Sequence, residues 1–515
     1  MIRKCSITAI VIGSLSILGE LAELDLPSIS WFFSLGKSEL WGMDWNWGWI
    51  TSVALILAGI AGLLFLPKTI HWTPITLQRF KRFRSIRRGW ISLLIILFLA
   101  VIALLDQALV GRRALVVKHD GNWFFPAFVK QHYPQKTFFG SEESETDYRL
   151  LKRKMESGEL KGFVLMPLVP WASVLDSDDL QTKQLQLRDG LYFVEGDDHP
   201  FSGRAARYYH GLQKTKHTDM RLRRGLPDGE WLGYAPNGGL AVRANYSKGE
   251  KTDEEFTGEM KPDEFTKANA GDFTVTVYPP IPPMWSARHY LGTDSRGWDV
   301  LAQIYGGWQL NLKAIFVYLL VTYGVGILIG TLMGYFGGWF DMIFQRIIEI
   351  LEELPFLYIV MIVVGIVGVA NMNLPLLLGV ICVFSWTGLT YALRAQTYKE
   401  KERDYISAAR LQGASTWRIV TRYIVPNLLA TLVTLIPFSV VGIISSLTAL
   451  AFIGFGLPET YPQWGTLFDD GLNHLSARWI TLSMFTIMVV ILLLVTFVGE
   501  ALREAFDPKK FSTYQ

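Results

Sequence analysis

The side chains best suited to metal or nucleophilic chemistry, histidine and cysteine, are few and widely spaced in this chain of 515 residues. His199, His210 and His217 lie 11 and 7 positions apart, which is not the H-E-x-x-H spacing of a zinc-binding helix. Cys5 and Cys382 lie far apart in apolar runs, so we expect neither a disulfide framework nor a cysteine metal site. We predict no catalytic residues, no metal and no cofactor bound by this chain.

Nucleotide chemistry is not expected within the chain either. The sequence contains no G-x-x-x-x-G-K-[ST] loop, whose backbone amides would cradle phosphates. Its 49 lysines and arginines stand against 46 acidic residues, giving a formal charge of +3. This balance argues against a nucleic-acid partner.

Four charged residues open one of the long apolar segments: Arg346, Glu349, Glu352 and Glu353. Ions inside a membrane are functional candidates, so they could line the inner mouth of a transport path. They could instead form a cytosolic extension of a helix, in which Arg346 pairs with Glu349 three positions later. We favour the extension, because a span of about 20 residues counted back from Ala370 ends near Leu351.

A polar loop at residues 394–427, which we call the docking loop, has a helix-turn-helix pattern. Its run DYISAARLQG predicts a short amphipathic helix that contains the adjacent small residues Ala408 and Ala409. Gly413 can end this helix in a positive-φ conformation. A helix with a small-residue face is suited to docking into a groove of a partner, although an ordinary inter-helix loop is the alternative.

The second helix of the docking loop has a start and a stop signal. Ser415 or Thr416 can cap its first turn. We expect it to end at Val425, because Pro426 disfavours helical backbone in the residue before it.

Three glycines recur every four residues at Gly326, Gly330 and Gly334. In a helix this spacing places them on one face, where two backbones can approach closely. The neighbour could be another helix of this chain or a helix of a partner subunit.

Half of the residues are hydrophobic and 18% are charged, too few charges for a simple soluble domain. The apolar residues fall into blocks of about 20, the length that spans a bilayer. We therefore predict an all-α polytopic membrane protein with about eight transmembrane helices. The predicted spans are 47–66, 90–110, 310–333, 347–370, 374–393, 428–450 and 479–499, with a weaker one at 7–21 that could alternatively be a signal peptide.

Basic loops predict the orientation of these spans. Residues 67–89 contain seven lysines and arginines and no acidic residue, which places this segment in the cytosol. Counting helices from there puts both termini and the docking loop in the cytosol. Residues 111–306, which carry more than half of the charged residues, then form an α/β or β-rich periplasmic domain.

Part of this outer domain, near residues 197–255, has a weak internal repeat. Gly203, Tyr208, Gly211 and Gly225 recur as Gly229, Tyr234, Gly238 and Gly249. The segment from Asp228 to Gly238 has the alternation and the Asn-Gly turn of a β-hairpin. The pattern resembles MORN or YwqK-type repeats, so this insertion could contact a partner protein, or it could be a tolerated surface addition.

The docking loop resembles the "EAA" loop of bacterial binding-protein-dependent ABC importer permeases. Three further motifs match the dipeptide and oligopeptide (DppC/OppC) family: HYLGTDSRGWDVL at 289–301, LAFIGFGLP at 450–458 and GEALREAFDP at 499–508. Several of their residues resemble the YejE-type permeases of microcin C and oligopeptide importers. Ser407 stands where this family often has Glu, which could weaken one ATPase contact.

The resemblance implies a type I ABC importer permease fold and a set of partners. These are a second permease subunit, two cytosolic ATPase subunits that bind ATP, a periplasmic solute-binding protein and membrane lipids. Ala408, Ala409 and Gly413, with Ser407 and Pro426, would couple ATPase closure to the membrane helices. The implied organisation is an N-terminal extension (1–89), a first core helix (90–110), the outer domain (111–306), the permease domain (307–508) and a cytosolic tail (509–515).

Two other classes of protein remain as alternatives. A membrane-anchored periplasmic enzyme or sensor would use its helices only as an anchor, and it would not need a docking loop. A secondary transporter would need paired ionisable residues at mid-bilayer, which the spans lack. The motifs favour an inner-membrane importer of peptides or peptide-like compounds.

Overall fold

The computed structural model describes most of the chain. It covers residues 2–22, 24, 37–40, 43–46, 52–53, 55–57, 59–60, 74–129, 131–140, 143–176, 182–194, 200–201, 203–209, 216–236, 239–256, 274–276 and 280–506. Two compact units divide it: Met1–Asp176 together with Asp299–Gln515, and Ser177–Trp298.

The helices belong mainly to the first unit. They are α1 (Ile2–Leu21), α2 (Pro74–Ser85), α3 (Arg87–Ala103), α4 (Tyr148–Glu156), α5 (Val300–Phe336), α6 (Gly338–Glu353), α7 (Phe356–Val367), α8 (Leu374–Lys401), α9 (Asp404–Leu411), α10 (Thr416–Ile419), α11 (Val425–Phe452), α12 (Trp464–Asn473) and α13 (Arg478–Phe506).

Among the described residues, four helices are long and apolar enough to cross a membrane: α5, α8, the Thr431–Phe452 part of α11, and α13. Two bent pairs, α2 with α3 and α6 with α7, raise the number to six if each pair counts as one span. The prediction of a polytopic helical membrane protein is confirmed at this level. The count of eight is not confirmed, because α1 is a shorter apolar helix and the 47–66 span lies mostly outside the described residues.

The predicted span at 347–370 is wrong in one respect, since it is not a straight helix. α6 ends at Glu353, α7 begins at Phe356, and their axes differ by 75°. Pro355 explains the break, because it forces Leu354 out of the helical region to φ −78° and ψ 122°. The acidic residues that open the predicted span therefore lie on a separate helix.

The apolar core of the first unit joins helices that are distant in sequence. α5, α7, α8 and α11 contribute buried side chains to one cluster, which includes Tyr318, Val364, Leu377 and Ile443. Gly326, Gly330 and Gly334 of α5 face α8 of the same chain. A Cβ added to Gly330 would lie 2.8 Å from the carbonyl oxygen of Thr390, so only glycine allows this approach.

The N-terminal helix α1 packs on the helical residues between 52 and 60 through small side chains. Ser52 Oγ donates a hydrogen bond of 2.8 Å to Ser16 Oγ. A Cβ on Gly13 would lie 2.8 Å from the carbonyl oxygen of Ser52, and one on Gly59 would lie 2.7 Å from that of Ser6. The extension thus contains a close-packed helix pair.

The compact units have other bounds than the outer domain predicted at 111–306, because the residues up to Asp176 belong to the unit of the membrane helices. There, β3 (Val116–His119) pairs with β4 (Asn122–Phe124) and with β5 (Gly162–Leu165), each antiparallel. α4 packs on this sheet through Tyr148 and Leu151, both fully buried. A separate hairpin of β1 (Lys37–Leu40) and β2 (Met43–Asn46) lies in the N-terminal extension.

The second unit is built on an eight-stranded sheet of order β12-β11-β10-β9-β8-β13-β6-β7. Its strands are β6 (Thr182–Arg188), β7 (Leu191–Val194), β8 (Gly203–Tyr208), β9 (Lys216–Arg223), β10 (Leu226–Tyr234), β11 (Leu240–Ser247), β12 (Glu250–Phe256) and β13 (Thr274–Thr276). The predicted hairpin is confirmed, since β10 and β11 pair antiparallel. Its Asn-Gly turn, Asn237 and Gly238, lies outside the described residues.

The weak sequence repeat corresponds to a repeated turn. Arg224 and Gly225 connect β9 to β10, and Lys248 and Gly249 connect β11 to β12. All four residues have positive φ, between 50° and 91°. This is the two-residue turn that joins twisted antiparallel strands, and it requires glycine at its second position.

Candidate functional site: the docking loop

The docking loop begins within a helix, because α8 continues to Lys401. Its first free-standing helix is α9, which Gly413 ends with a φ of +77°, as predicted. Ala414 donates its backbone N–H to the carbonyl of Ala409, and Gly413 donates to that of Arg410. These two bonds form a Schellman motif, which fixes the direction in which the chain leaves α9.

The candidate coupling residues do not share one environment. Ser407, Ala408 and Gly413 are exposed. Ala409 is only 5% exposed and lies on the face of α9 that packs inward beside Ile406. Ala408 and Ala409 therefore face different environments, since adjacent residues of a helix point about 100° apart, and their role in coupling stays a prediction.

Two large apolar residues of the docking loop are also exposed. Leu411 is 91% exposed, and Trp417 is 65% exposed. Neither is among the predicted coupling residues, although Leu411 follows Ser407 by one helical turn and so shares its face. Exposed apolar side chains beside small ones, on a helix with a fixed end, are the composition of a protein contact surface.

Pro426 does not end the second helix, contrary to the prediction. Ser415 caps α10, and helical backbone then continues from Thr416 to Phe452. One π-helical turn, Val420–Ile424, precedes the proline, and Val425 keeps a helical φ of −54°. The wider turn accommodates a residue that lacks an N–H donor, so no break is needed.

Beneath the exposed face, the docking loop is anchored to the membrane helices. Ile406, Ile419 and Ile424 are at most 1% exposed and pack against α5, α8 and α11 in one cluster. The Arg410 guanidinium lies over the ring of Tyr335 at the end of α5, 5.1 Å from its centroid. Movement of α9 is thus linked to movement of α5.

A hydrogen-bonded chain ties the two ends of the docking loop together. Asn427 Nδ2 donates to the Tyr405 hydroxyl at 2.7 Å, and that hydroxyl donates to Glu400 Oε1 at 3.1 Å. Burial, and then the bond to Glu400, raise the pKa of Tyr405. The phenol therefore keeps its proton and remains a donor.

A buried ion pair connects α6 to the end of α8. Arg394 donates from Nε and from one terminal nitrogen to the two carboxylate oxygens of Asp341, each at 2.5 Å, and the Tyr398 hydroxyl donates to Asp341 at 2.9 Å. Asp341 is 6% exposed. The sequence analysis missed this pair, because its partners are 53 positions apart. The predicted pair of Arg346 and Glu349 is also present, at the surface.

At the end of α5 opposite Tyr335 lies a polar cavity of about 500 Å³. Tyr305 and Gln309 line it from α5, and Arg112, Arg113 and His132 line it from the segment around β3. Gln107, Val110, Gly111, Ala172 and Ser173 complete the lining.

The cationic groups of this cavity share one carboxylate. Arg113 Nε donates to Glu145 at 2.7 Å, and Arg112 donates to it at 2.9 Å. Burial works to raise the pKa of Glu145, but the charges of Arg113 and Arg112, with the hydrogen bonds of Arg113 and His132, outweigh it and lower the pKa. A terminal nitrogen of Arg113 also lies 2.6 Å from His132 Nδ1, which is itself 3.4 Å from Glu145 Oε1. Because two positively charged guanidinium groups are paired with only one carboxylate, an excess positive charge remains, and this favours an anionic ligand.

Metal sites are not found among the residues that the structure describes, where no three His, Cys, Asp or Glu side chains could hold an ion. His217 is buried, and its Nδ1 lies 2.6 Å from the Thr218 hydroxyl. His199 and His210 lie outside the described residues.

Comparison with known proteins identifies relatives of this chain. The family described as "Binding-protein-dependent transport system inner membrane component" matches residues 326–512, which include the docking loop. The "Inner membrane ABC transporter permease protein YejE" of Escherichia coli K12 is 28% identical over 438 residues, covering 85% of this chain and 98% of that protein.

Two further relatives match a shorter part of the chain. The "Oligopeptide transport system permease protein OppC" of Lactococcus lactis subsp. cremoris SK11 is 33% identical over 43% of this chain and 76% of that protein. The "Peptidoglycan transport system permease protein YejE" of Agrobacterium fabrum C58 is 38% identical over 43% of this chain and 58% of that protein.

Proposed function

This chain belongs to the binding-protein-dependent transport system inner membrane components, and from that premise we propose that it carries peptides or peptide-like compounds into the cell. It is a permease subunit of an ABC importer, a multi-pass membrane protein that leaves ATP hydrolysis to partner subunits. The names of its relatives, which include peptide and peptidoglycan transport systems, support the cargo class. The anchor-only alternative is not supported.

The docking loop is the proposed point of contact with the ATPase subunits. Ser407, Ala408, Leu411 and Gly413 on and after α9, and Trp417 on α10, are all exposed, and this exposure of small and apolar residues is the observation that carries the proposal. Closure of the ATPases would push on α9, and the contact of Arg410 with Tyr335 would pass that movement to α5. Pro426 would act from behind the face, by helping to set the π-helical turn that aims α10.

The proposed assembly contains a second permease subunit, two cytosolic ATPase subunits and a periplasmic solute-binding protein, in contact with membrane lipids. ATP would be bound by the partner subunits, with no cofactor in this chain. In the proposed orientation both termini and the docking loop are cytosolic, and the second unit and the cavity at the far end of α5 are periplasmic. The basic segment before α3 supports this orientation, because lysine and arginine resist translocation.

Replacing Leu411 by aspartate tests the docking surface. A charge placed at the centre of an apolar contact must lose its hydration, so ATPase binding should weaken by about tenfold or more. Co-purification of the ATPase subunits and ATP-driven uptake into proteoliposomes would both fall. The control is Leu475→Asp, which changes another exposed leucine, 70% exposed, outside the docking loop. Normal ATPase binding in Leu411→Asp would contradict the proposed surface.

A further inference from the structure

The junction between α2 and α3 is a sharp elbow. The axis of α2 lies at 91° to that of α3, so if α3 crosses the membrane, α2 runs parallel to its surface. α3 has an apolar stripe at helical spacing, with Ile91, Leu94, Phe98 and Val101 each between 47% and 63% exposed. Such a stripe fits acyl chains, which supports a membrane-crossing α3.

Aromatic rings at the elbow indicate the depth of α2. The Phe80 ring of α2 packs edge-on against Trp90 in the first turn of α3, with centroids 6.2 Å apart. The Arg84 guanidinium lies over the same indole, 5.7 Å from its centroid. Tryptophan prefers the headgroup zone of a bilayer, so this cluster places α2 at that level.

The exposed surface of α2 has two chemical characters. Leu77 and Phe80 are 47% and 48% exposed, and both are apolar. Lys81, Arg84 and Arg87 are exposed on and just after the helix. No acidic residue occurs between Pro74 and Arg88. Apolar side chains beside cations, without acidic residues, match the boundary between acyl chains and anionic headgroups.

The opposite surface of α2 is fixed to the C-terminal turns of α13. Phe83 is 3% exposed and packs with Ala501 and Ala505. Arg79 lies over the Phe506 ring, and just after the elbow Arg88, in the first turn of α3, pairs with Glu500 at 3.5 Å. Because its inner face is held in this way, α2 presents its cations at a fixed height and cannot swing away from the membrane.

We infer that α2 is an interfacial helix that binds anionic phospholipids, with Leu77 and Phe80 among the acyl chains and Lys81, Arg84 and Arg87 at the phosphate groups. Its placement in the inner leaflet follows from the proposed orientation, whereas the lipid binding does not depend on the transported cargo. An ATPase subunit is the competing occupant of a cytosolic basic surface, and the experiment below separates the two.

The test is native mass spectrometry of the detergent-purified chain titrated with phosphatidylglycerol or phosphatidylcholine. We expect the unmodified chain to prefer phosphatidylglycerol, and we expect this preference to fall as salt is raised. The double variant Lys81→Gln/Arg87→Gln should bind phosphatidylglycerol at least about tenfold more weakly, since each cation near an anionic surface contributes about 1 kcal/mol.

A charge-matched control is Arg153→Gln/Lys161→Gln, which removes two exposed cations near β5 and should leave phosphatidylglycerol binding unchanged. Equal binding of both lipids by the unmodified chain would overturn the inference without the need for any variant. Unchanged phosphatidylglycerol binding in Lys81→Gln/Arg87→Gln would also overturn it. If that variant instead loses only the co-purified ATPase subunits, the surface belongs to the ATPase.

Discussion

Single residues of the docking loop owe their importance to backbone conformation and exposure. Gly413 has a φ of +77°, and apart from its two chain neighbours no described heavy atom lies within 4 Å of the position a Cβ would take. Any loss on substitution therefore comes from backbone strain and from a changed exit path after α9, since there is no steric clash. Gly330 differs from Gly413 in this respect, because a side chain at Gly330 would collide with the neighbouring helix α8.

Replacing Gly413 by valine should uncouple ATP hydrolysis from uptake while leaving the assembly intact. A β-branched residue at positive φ costs upwards of about 1 kcal/mol, so the Schellman end of α9 should open. The measurement compares ATP hydrolysis with uptake in proteoliposomes. Gly158→Val is the matched control, because Gly158 also has positive φ, at 84°, and open space around it. Normal uptake by Gly413→Val would exclude this role.

Glu145 should make the sheet of β3, β4 and β5 sensitive to acid. Its pKa is lowered in the folded protein, so its contribution is present above the unfolded pKa of about 4.3 and is lost as pH falls through the folded value. Glu145→Gln should flatten this dependence. Hydrogen exchange of the sheet amides between pH 3 and 7 measures it, with Glu143→Gln, a change at an exposed carboxylate, as the control. If the pH dependence of hydrogen exchange is the same in Glu145→Gln as in the unmodified protein, this prediction is wrong.

At the scale of helices and strands, rigid contacts surround the docking loop. The Asp341–Arg394 pair joins α6 to the last turns of α8, directly before α9. The glycines of α5 allow close packing against α8 over the same stretch. α5, α6 and α8 should therefore move together when α9 is displaced.

Replacing Asp341 by asparagine should destabilise this helix group. The change leaves the Arg394 charge partly buried without its counter-ion, and breaking such a pair typically costs about 3 kcal/mol or more. Thermal unfolding in detergent measures the loss. Arg346→Gln is the control, because the side chain of Arg346 is 80% exposed and surface pairs contribute less than about 1 kcal/mol. Equal decreases in unfolding temperature in the two variants would show that the Asp341–Arg394 pair stabilises the protein no more than the surface pair does.

Sequence patterns predicted local features well and distant partnerships poorly. The end of α9 at Gly413, the cap at Ser415 and the β10–β11 hairpin each depend on a few neighbouring residues, and all three form as predicted. The Asp341–Arg394 pair and the burial of Ala409 depend on tertiary packing, which no local spacing encodes. Pro426 does not end the helix as predicted, because the π-helical turn compensates for the backbone N–H donor that proline lacks.

At the scale of the whole molecule, the second unit is an addition with its own core and sheet. Three strands at one end of the sheet, β10, β11 and β12, are consecutive in both sequence and space. Removing them would leave β9 as the edge strand and would keep the other five strands contiguous. This boundary follows the structure better than a deletion of residues 197–255, which would also remove β8 and β9 and leave β13 without its neighbour β8.

Deleting Leu226–Phe256 should weaken docking of the solute-binding protein, if this end of the sheet forms the contact proposed from its repeat pattern. Pull-down of the purified binding protein by the reconstituted importer measures docking. Limited proteolysis of the remaining strands checks that the rest of the unit stays folded. Unchanged docking would identify these strands as a tolerated surface addition.

The π-helical turn at Val420–Ile424 fixes the angle by which the side chains of α10 are rotated about the helix axis relative to those of α11. Each residue of an α-helix advances the direction of its side chain by about 100°, so the extra residue turns α10 relative to α11 by roughly that angle. Removing one residue from this turn would restore regular helix and change the direction in which Trp417 projects by roughly that angle. The docking surface therefore depends on the number of residues between Trp417 and Pro426 as much as on their identities.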